Sequence, residues 1–194
     1  VEHPAVVTLG RREDSIKNLK TSPKKLERLG VELVHSDRGG DITFHGPGQI
    51  VVYPIIRLGN HGFTVSGYVH WLEATVIAAL AKIGIEGRAD PEAVGVWVAD
   101  GEKLAKVCAI GVRIRRGTSL HGLALNVSTD LAGFAHIVPC GLTDGGVTSV
   151  AKILGDKSPS LGEIKKILIE HLTSGLSAAT RKPARSLSAS DPSQ

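Results

Sequence analysis

The chain has 194 residues, 42% hydrophobic and 22% charged, enough for one domain with a sizeable core. No apolar run reaches bilayer-spanning length and nothing at the start resembles a signal peptide. Two cysteines, Cys108 and Cys140, are too few for a disulfide framework, and a net charge of +4 without interleaved aromatics points to an acidic protein partner, not nucleic acid.

Aromatics are scarce, so Val, Ile, Leu and Ala must fill the core. The cysteine usage fits a reducing compartment. The chain opens Val-Glu-His-Pro and holds no Met, which reads as a processed or incomplete sequence whose fold lacks an N-terminal piece.

In chain order, "AVVTL" (5–9) predicts a strand closed by Gly10. "SPKKLERLG" (22–30) predicts a short helix with Ser22 as cap, Pro23 in the first turn and Gly30 at the end. "VELVHSD" (31–37) predicts a strand leading into the glycine-rich stretch "RGGDITFHGPGQ", and "IVVYPII" (50–56) reads as a buried strand. Tyr68, Leu72, Val76, Leu80 and Ile83 recur at helical spacing, and Gly84 ends that run. "VGVWV" and "KLAKVCAIGVRIR" flank a hairpin turn containing Asp100-Gly101, with "LHGLALNV" (120–127) as a third strand. A Gly-rich loop covers 139–146, and "TSVAKILG" (148–155) predicts a short helix. Ser160 and Glu163 make a capping box for a helix with Ile164, Ile167, Leu168 and Leu172 inward. Beyond about residue 179 the hydrophobes stop, as in a disordered tail. Hairpins mixed with helices, without regular βαβ alternation, indicate an α+β fold.

Cys140 stands in "IVPCGLTDGG", where Pro and Gly would hold its thiol on a tight turn with room for a substrate. A buried cysteine that only packs is the plainer reading. Lys106 interrupts the apolar strand "LAKVCAIGV", and a cation there must either reach water along its stem or enter a cleft. In a cleft it would stabilise a thiolate or carry a proton. Cys108 shares the Lys106 strand face by period-two alternation and reads as packing. His45 and His121 each adjoin a Gly, a setting more often structural than catalytic. Arg113, Arg115 and Arg116 read as a solvated strand face and its turn, or as a dock for an acidic partner. Residues 38–48 lack the Gly-Lys-Ser/Thr of a phosphate loop and any dinucleotide fingerprint, and the chain has no HExxH and no paired CxxC. The remaining use for these glycines is close approach of backbone to a slim apolar ligand.

Three blocks, "RGGDITFHGPGQIVVYP", "KVCAIGVRIRRGTSLHGLALNV" and "IVPCG", resemble the motifs of the lipoyl(octanoyl) transferase family, as does the opening "EHPAVVTLGRR". The similarity runs in order from about residue 2 to about residue 150. It implies an α+β fold, a mixed sheet flanked by helices like the catalytic domain of biotin protein ligases and lipoate ligases, without the strand and helix that family members usually carry first. Residues 1–178 would be the catalytic domain and 179–194 a disordered tail. The implied activity moves an octanoyl group from octanoyl-acyl carrier protein to a lysine of lipoyl domains, in 2-oxoacid dehydrogenases and the glycine cleavage H protein. No cofactor, metal, nucleic acid or membrane is implied. A bacterial cytoplasm or a mitochondrial matrix would house it.

By the same resemblance Cys140 would carry the acyl thioester and Lys106 would work with it. Arg38, Gly39, Gly40, Asp41, Ile42, Thr43, Phe44 and His45 would line the acyl site. Ala109, Ile110 and Gly111 would join them, with Gly122, Leu123 and Ala124 opposite. Three alternatives stay open: an ATP-dependent lipoate–protein ligase, a cysteine hydrolase, and a non-catalytic module that binds acyl groups or their carrier.

Overall fold

A computed structural model describes residues 1–138 and 146–180. The chain forms two β-sheets, each with its own apolar core. The smaller has the order β2-β1-β3: β1 (Val6–Leu9) runs parallel to β2 (Glu32–His35) and antiparallel to β3 (Thr43–His45). Helix α1 (Pro23–Arg28) makes the crossover between β1 and β2. Ser22 takes the N-cap position, though its side chain makes no capping bond.

The larger sheet has the order β4-β8-β7-β6-β5: β4 (Gln49–Val52), β5 (Gly87–Ala89), β6 (Val96–Asp100), β7 (Lys103–Arg115) and β8 (Thr118–Asn126). A two-residue strand, β9 (Gly146–Val147), pairs parallel with Ala105 and Lys106 of β7. Helices α2 (Val65–Ala81), α3 (Val150–Leu154) and α4 (Leu161–Thr180) complete the fold. The predicted helices are all present, and the Asp100-Gly101 hairpin joins β6 to β7 as expected.

Packing follows the two periodicities. Tyr68, Leu72, Val76 and Leu80 of α2 and Ile164, Leu168 and Leu172 of α4 bury against Ile50, Cys108, Leu123 and Leu125 of the large sheet. Each fully buried aliphatic side chain contributes about 1.5–3 kcal/mol over leaving it exposed. The capping box is complete: Glu163 accepts from the Ser160 backbone N–H at 2.9 Å and Ser160 Oγ accepts from Glu163 N at 3.3 Å. Thr64 and Ser149 cap α2 and α3 by accepting from Gly67 N and Lys152 N. None of the described helices is long and apolar enough to cross a membrane.

The run 50–56 is not one buried strand. Pairing stops at Val52, because Pro54 has no N–H to give, and Tyr53 and Ile55 are exposed beside an edge strand. The glycine-rich stretch between the strands predicted at 31–37 and 50–56 itself holds a strand, β3. Helix α4 runs to Thr180, two residues past the expected domain boundary. The Gly-rich loop and the tail lie, apart from those ends, outside the described residues.

Candidate active site

A cavity of about 640 Å³ opens between the inner face of the small sheet and the large sheet. Alternation supplies its walls. Along β1, Val7 and Leu9 enter the small core while Val6 and Thr8 face the cavity. Along β3, Phe44 packs on Phe134 at 5.4 Å between ring centroids while Thr43 and His45 face the cavity. From the large sheet come Val51, Ala109, Gly111, Gly122 and Ala124, and the Ala109–Ala124 and Gly111–Gly122 pairs oppose each other across β7 and β8. Ile110 and Leu123 border the cavity too, though their alternation packs them with the main core. Arg38, Gly39, Gly40 and Asp41 close the end nearest the seam between the sheets.

Ile42 and Phe44 are corrections. Both belong to the small core, because within an extended stretch only every second side chain turns toward the cavity, and theirs turn away. The glycines also act differently from the expectation. Gly39 N donates to Val112 O at 3.1 Å, and a Cβ on Gly39 would lie 2.6 Å from that oxygen. A Cβ on Gly111 would lie 2.8 Å from Gly39 O. The bare backbone at these two positions is used by the protein's own chain, which sews the small sheet to β7.

Arg38 is committed to the same seam. Its Nε donates to Thr8 Oγ1 at 3.0 Å and its Nη2 to Thr8 O at 2.7 Å. Asp41 accepts from Asn18 Nδ2 and from the Ile42 backbone N–H, each at 2.7 Å.

Lys106 reaches the cavity wall from β7, nearly buried. Its Nζ donates to Val94 O at 2.9 Å and lies 4.7 Å from the centre of the Trp97 ring, a cation–π distance. Cys108 does not share this face. The β6–β7 register shifts between Val96, opposite Cys108, and Trp97, opposite Lys106, so Val107 is an extra residue on β7. Such a bulge resets the alternation. Val107 and Cys108 both enter the main core, and burial pushes the Cys108 thiol up to about 12. Cys140 lies outside the described residues.

His45 anchors a line of buried amides. Gln49 Nε2 donates to Asn126 Oδ1 at 2.8 Å, so Gln49 Oε1 accepts the His45 Nδ1 proton at 2.7 Å, leaving the His45 Nε2 lone pair unprotonated. Asn126 Nδ2 in turn donates to Thr148 O at 3.0 Å, and Thr148 N donates to Lys106 O at 3.0 Å. Burial lowers the His45 pKa from 6.5 to about 4, so the ring is neutral at pH 7.

Sequence reasoning singled out His121 and Arg113 but missed their rim partners His3, Asp37 and Tyr53. His3 and Tyr53 share a hydrogen bond of 2.8 Å, and Tyr53 stands edge-on to His121. His121 has a left-handed backbone with φ 59°, strained for a residue with a Cβ, and its Nε2 lies 2.5 Å from Asp37 Oδ1. Asp37 also pairs with Arg113. The His121 hydrogen bond first, then the Arg113 charge, hold the Asp37 carboxyl below its ordinary pKa. Arg113 is thereby tied into the rim, while Arg115 and Arg116 stay exposed. Among the described residues no group of three His, Cys, Asp or Glu side chains could hold a metal.

Comparison with known proteins gives a consistent frame. A family model described as "Lipoyl protein ligase A/B catalytic domain" matches residues 1–173. An octanoyltransferase of Chloroflexus aggregans is 48% identical over 173 residues, 89% of this chain and 76% of the relative. One of Bacteroides fragilis is 46% identical over 176 residues, covering 90% and 79%. Among solved structures, a bi-partite lipoate protein ligase from Thermoplasma acidophilum superposes with a TM-score of 0.68 at 17% identity, covering 91% of this chain and 69% of that one.

Proposed function

The chain belongs to the lipoyl protein ligase A/B catalytic domain family, and on that premise we propose that its cavity carries out octanoyl transfer through a Cys140 thioester. The chemistry is octanoyl transfer in protein lipoylation, between an acyl carrier and a lipoyl domain. The donor in this reading is octanoyl-acyl carrier protein. The acceptors are lysines of the lipoyl domains of 2-oxoacid dehydrogenases and of the glycine cleavage H protein, in a bacterial cytoplasm or mitochondrial matrix.

The observation that carries the reading is Lys106, a nearly buried cation on the wall of the cavity, on the strand that lies beside the small apolar residues Ala109, Gly111, Gly122 and Ala124. Its strand is paired with β9, six residues beyond Cys140 in the chain. As an ammonium ion it favours a nearby thiolate. That thiolate attacks the carrier thioester; the carrier sulfur leaves and takes the Lys106 proton, and one thioester replaces another at little cost. The neutral Lys106 amine then accepts a proton from the incoming acceptor lysine as its nitrogen attacks the Cys140 thioester. The C–S bond breaks, an amide forms, and the thiolate–ammonium pair is restored. His45, neutral and fixed by Gln49, shapes the trough without adding charge.

The test is incubation with octanoyl carrier protein in the absence of ATP, followed by intact mass. A hydroxylamine-labile octanoyl adduct should form on the parent and on Cys108→Ser, and not on Cys140→Ser. An adduct mapping to Cys108, or transfer that requires ATP and free acid, overturns the proposal.

A further inference from the structure

Glu73 is the one carboxylate from α2 buried in the main core, and the mechanism above gives it no task. Its surroundings show what it does. Glu73 Oε1 accepts from Gly95 N at 3.0 Å. The carbonyl of that same peptide unit belongs to Val94, and it accepts from Lys106 Nζ at 2.9 Å. One peptide group is therefore clamped between a carboxylate on its N–H and an ammonium on its C=O. The neighbouring backbone holds the clamp in place, since Trp97 Nε1 donates to Ala93 O at 2.9 Å while its ring faces Lys106. Gly95 has φ 135°, and a Cβ there would meet Cys108 O at 2.6 Å and Lys106 Cε at 3.2 Å. Only glycine lets the peptide sit between strand, lysine and carboxylate.

We infer that Glu73 is the positioning residue and counter-charge of Lys106, acting through the Val94–Gly95 peptide; this rests on the catalytic reading of Lys106. A carboxylate on the N–H polarises the peptide and makes Val94 O a stronger acceptor for the ammonium. Through a low-dielectric interior the same negative charge raises the proton affinity of Lys106. Lys106 then stays cationic while the thiolate waits, and its head stays at the cavity wall instead of swinging along its flexible stem. Other titratable groups face this pair. His70 Nδ1 lies 3.2 Å from Glu73 Oε2, Cys108 in the core feels the charges of both Lys106 and Glu73, and Glu92 borders the same cavity. His70 is on the surface, while its partner Glu73 is buried.

The test is a lysine side-chain carbon NMR titration of the whole protein, with the Lys106 signal assigned by its loss in Lys106→Arg. Glu73→Gln keeps an acceptor for Gly95 N–H and removes the charge. Its Lys106 should titrate at least about half a pH unit lower than in the parent, a threefold loss of proton affinity. The alkaline limb of the kcat/KM profile should move down with it. Glu73→Asp keeps the charge but is too short for the Gly95 bond, and should lower kcat with little change in KM. In the parent itself the Gly95 amide resonance should shift at the Lys106 midpoint, a readout that needs no variant to fold. An unmoved Lys106 titration in folded Glu73→Gln, or a Gly95 amide blind to Lys106, overturns the inference. Failure of the catalytic reading looks different: Lys106→Ala would transfer octanoyl normally, whatever the titrations show.

Discussion

Replacing His45 with Gln should flatten the acid side of the stability curve between about pH 6.5 and about pH 4. In the folded chain burial lowers the pKa of the ring from 6.5 to about 4, with the Gln49 hydrogen bond opposing and the Arg38 and His3 charges adding. In the unfolded chain the ring titrates at its ordinary value. Between those two pH values the unfolded state binds the extra proton, so stability rises with pH. The contribution is fully present above pH 6.5, falls as the solution is acidified, and is gone below about pH 4. At 1.36 kcal/mol per pH unit the gap corresponds to about 3 kcal/mol, an upper bound because cavity water screens part of the charge. Gln in that place still offers a donor to Gln49 Oε1 and has nothing to protonate. Urea unfolding of parent and variant, at intervals of about one pH unit from about pH 7.5 to about pH 4, reads the difference as midpoint shifts. The parent should lose up to about 3 kcal/mol more than the variant over that range. Parallel loss in both proteins, or a His45 ring that titrates near 6.5 by NMR, refutes the reasoning.

Gly39→Ala should open the seam between the sheets, since its Cβ would sit 2.6 Å from the oxygen its own N–H bonds. Overpacking and one lost hydrogen bond together cost about 2–4 kcal/mol, visible in urea unfolding; a cost under about 0.5 kcal/mol counts against a rigid seam. Charge reversal at Arg115 and Arg116, exposed on the β7–β8 turn, should raise the KM for octanoyl carrier and weaken its salt dependence. A fall in kcat at saturating carrier with KM unmoved argues against docking there.

Much of the helical half of the fold is legible because its signals are local. The Ser160–Glu163 capping box and the 3.6-residue stripe of α2 each lie within one turn or one face, and both stand as read. The small sheet is harder. Its strands are three or four residues long, and β3 hides between glycines, of which Gly39 meets Val112, some 70 residues later in the chain. Without recognising a strand there, nothing tells Ile42 and Phe44 from Thr43 and His45, though alternation sends one pair to the core and the other to the cavity. Glu73 was open to a closer reading: it precedes Val76 by three residues and so falls on the buried stripe of α2, where a carboxylate needs a partner.

The bulge at Val107 shows why the Lys106 face is not legible in the sequence. Strict alternation puts Lys106 and Cys108 on one face and would bring the wrong thiol beside the cation. One added residue on β7 turns Lys106 to the cavity with Ala109 and leaves Cys108 in the core. A bulge has no residue signature in "LAKVCAIGV"; it arises from pairing with β6, where Gly95 lets the neighbouring backbone come within reach of the lysine. The same irregularity that defeats the period-two reading therefore frees a core-strand lysine from the core. It sets that lysine against a peptide whose other end is held by Glu73, so the bulge and the buried carboxylate form one device for presenting a cation to the cavity.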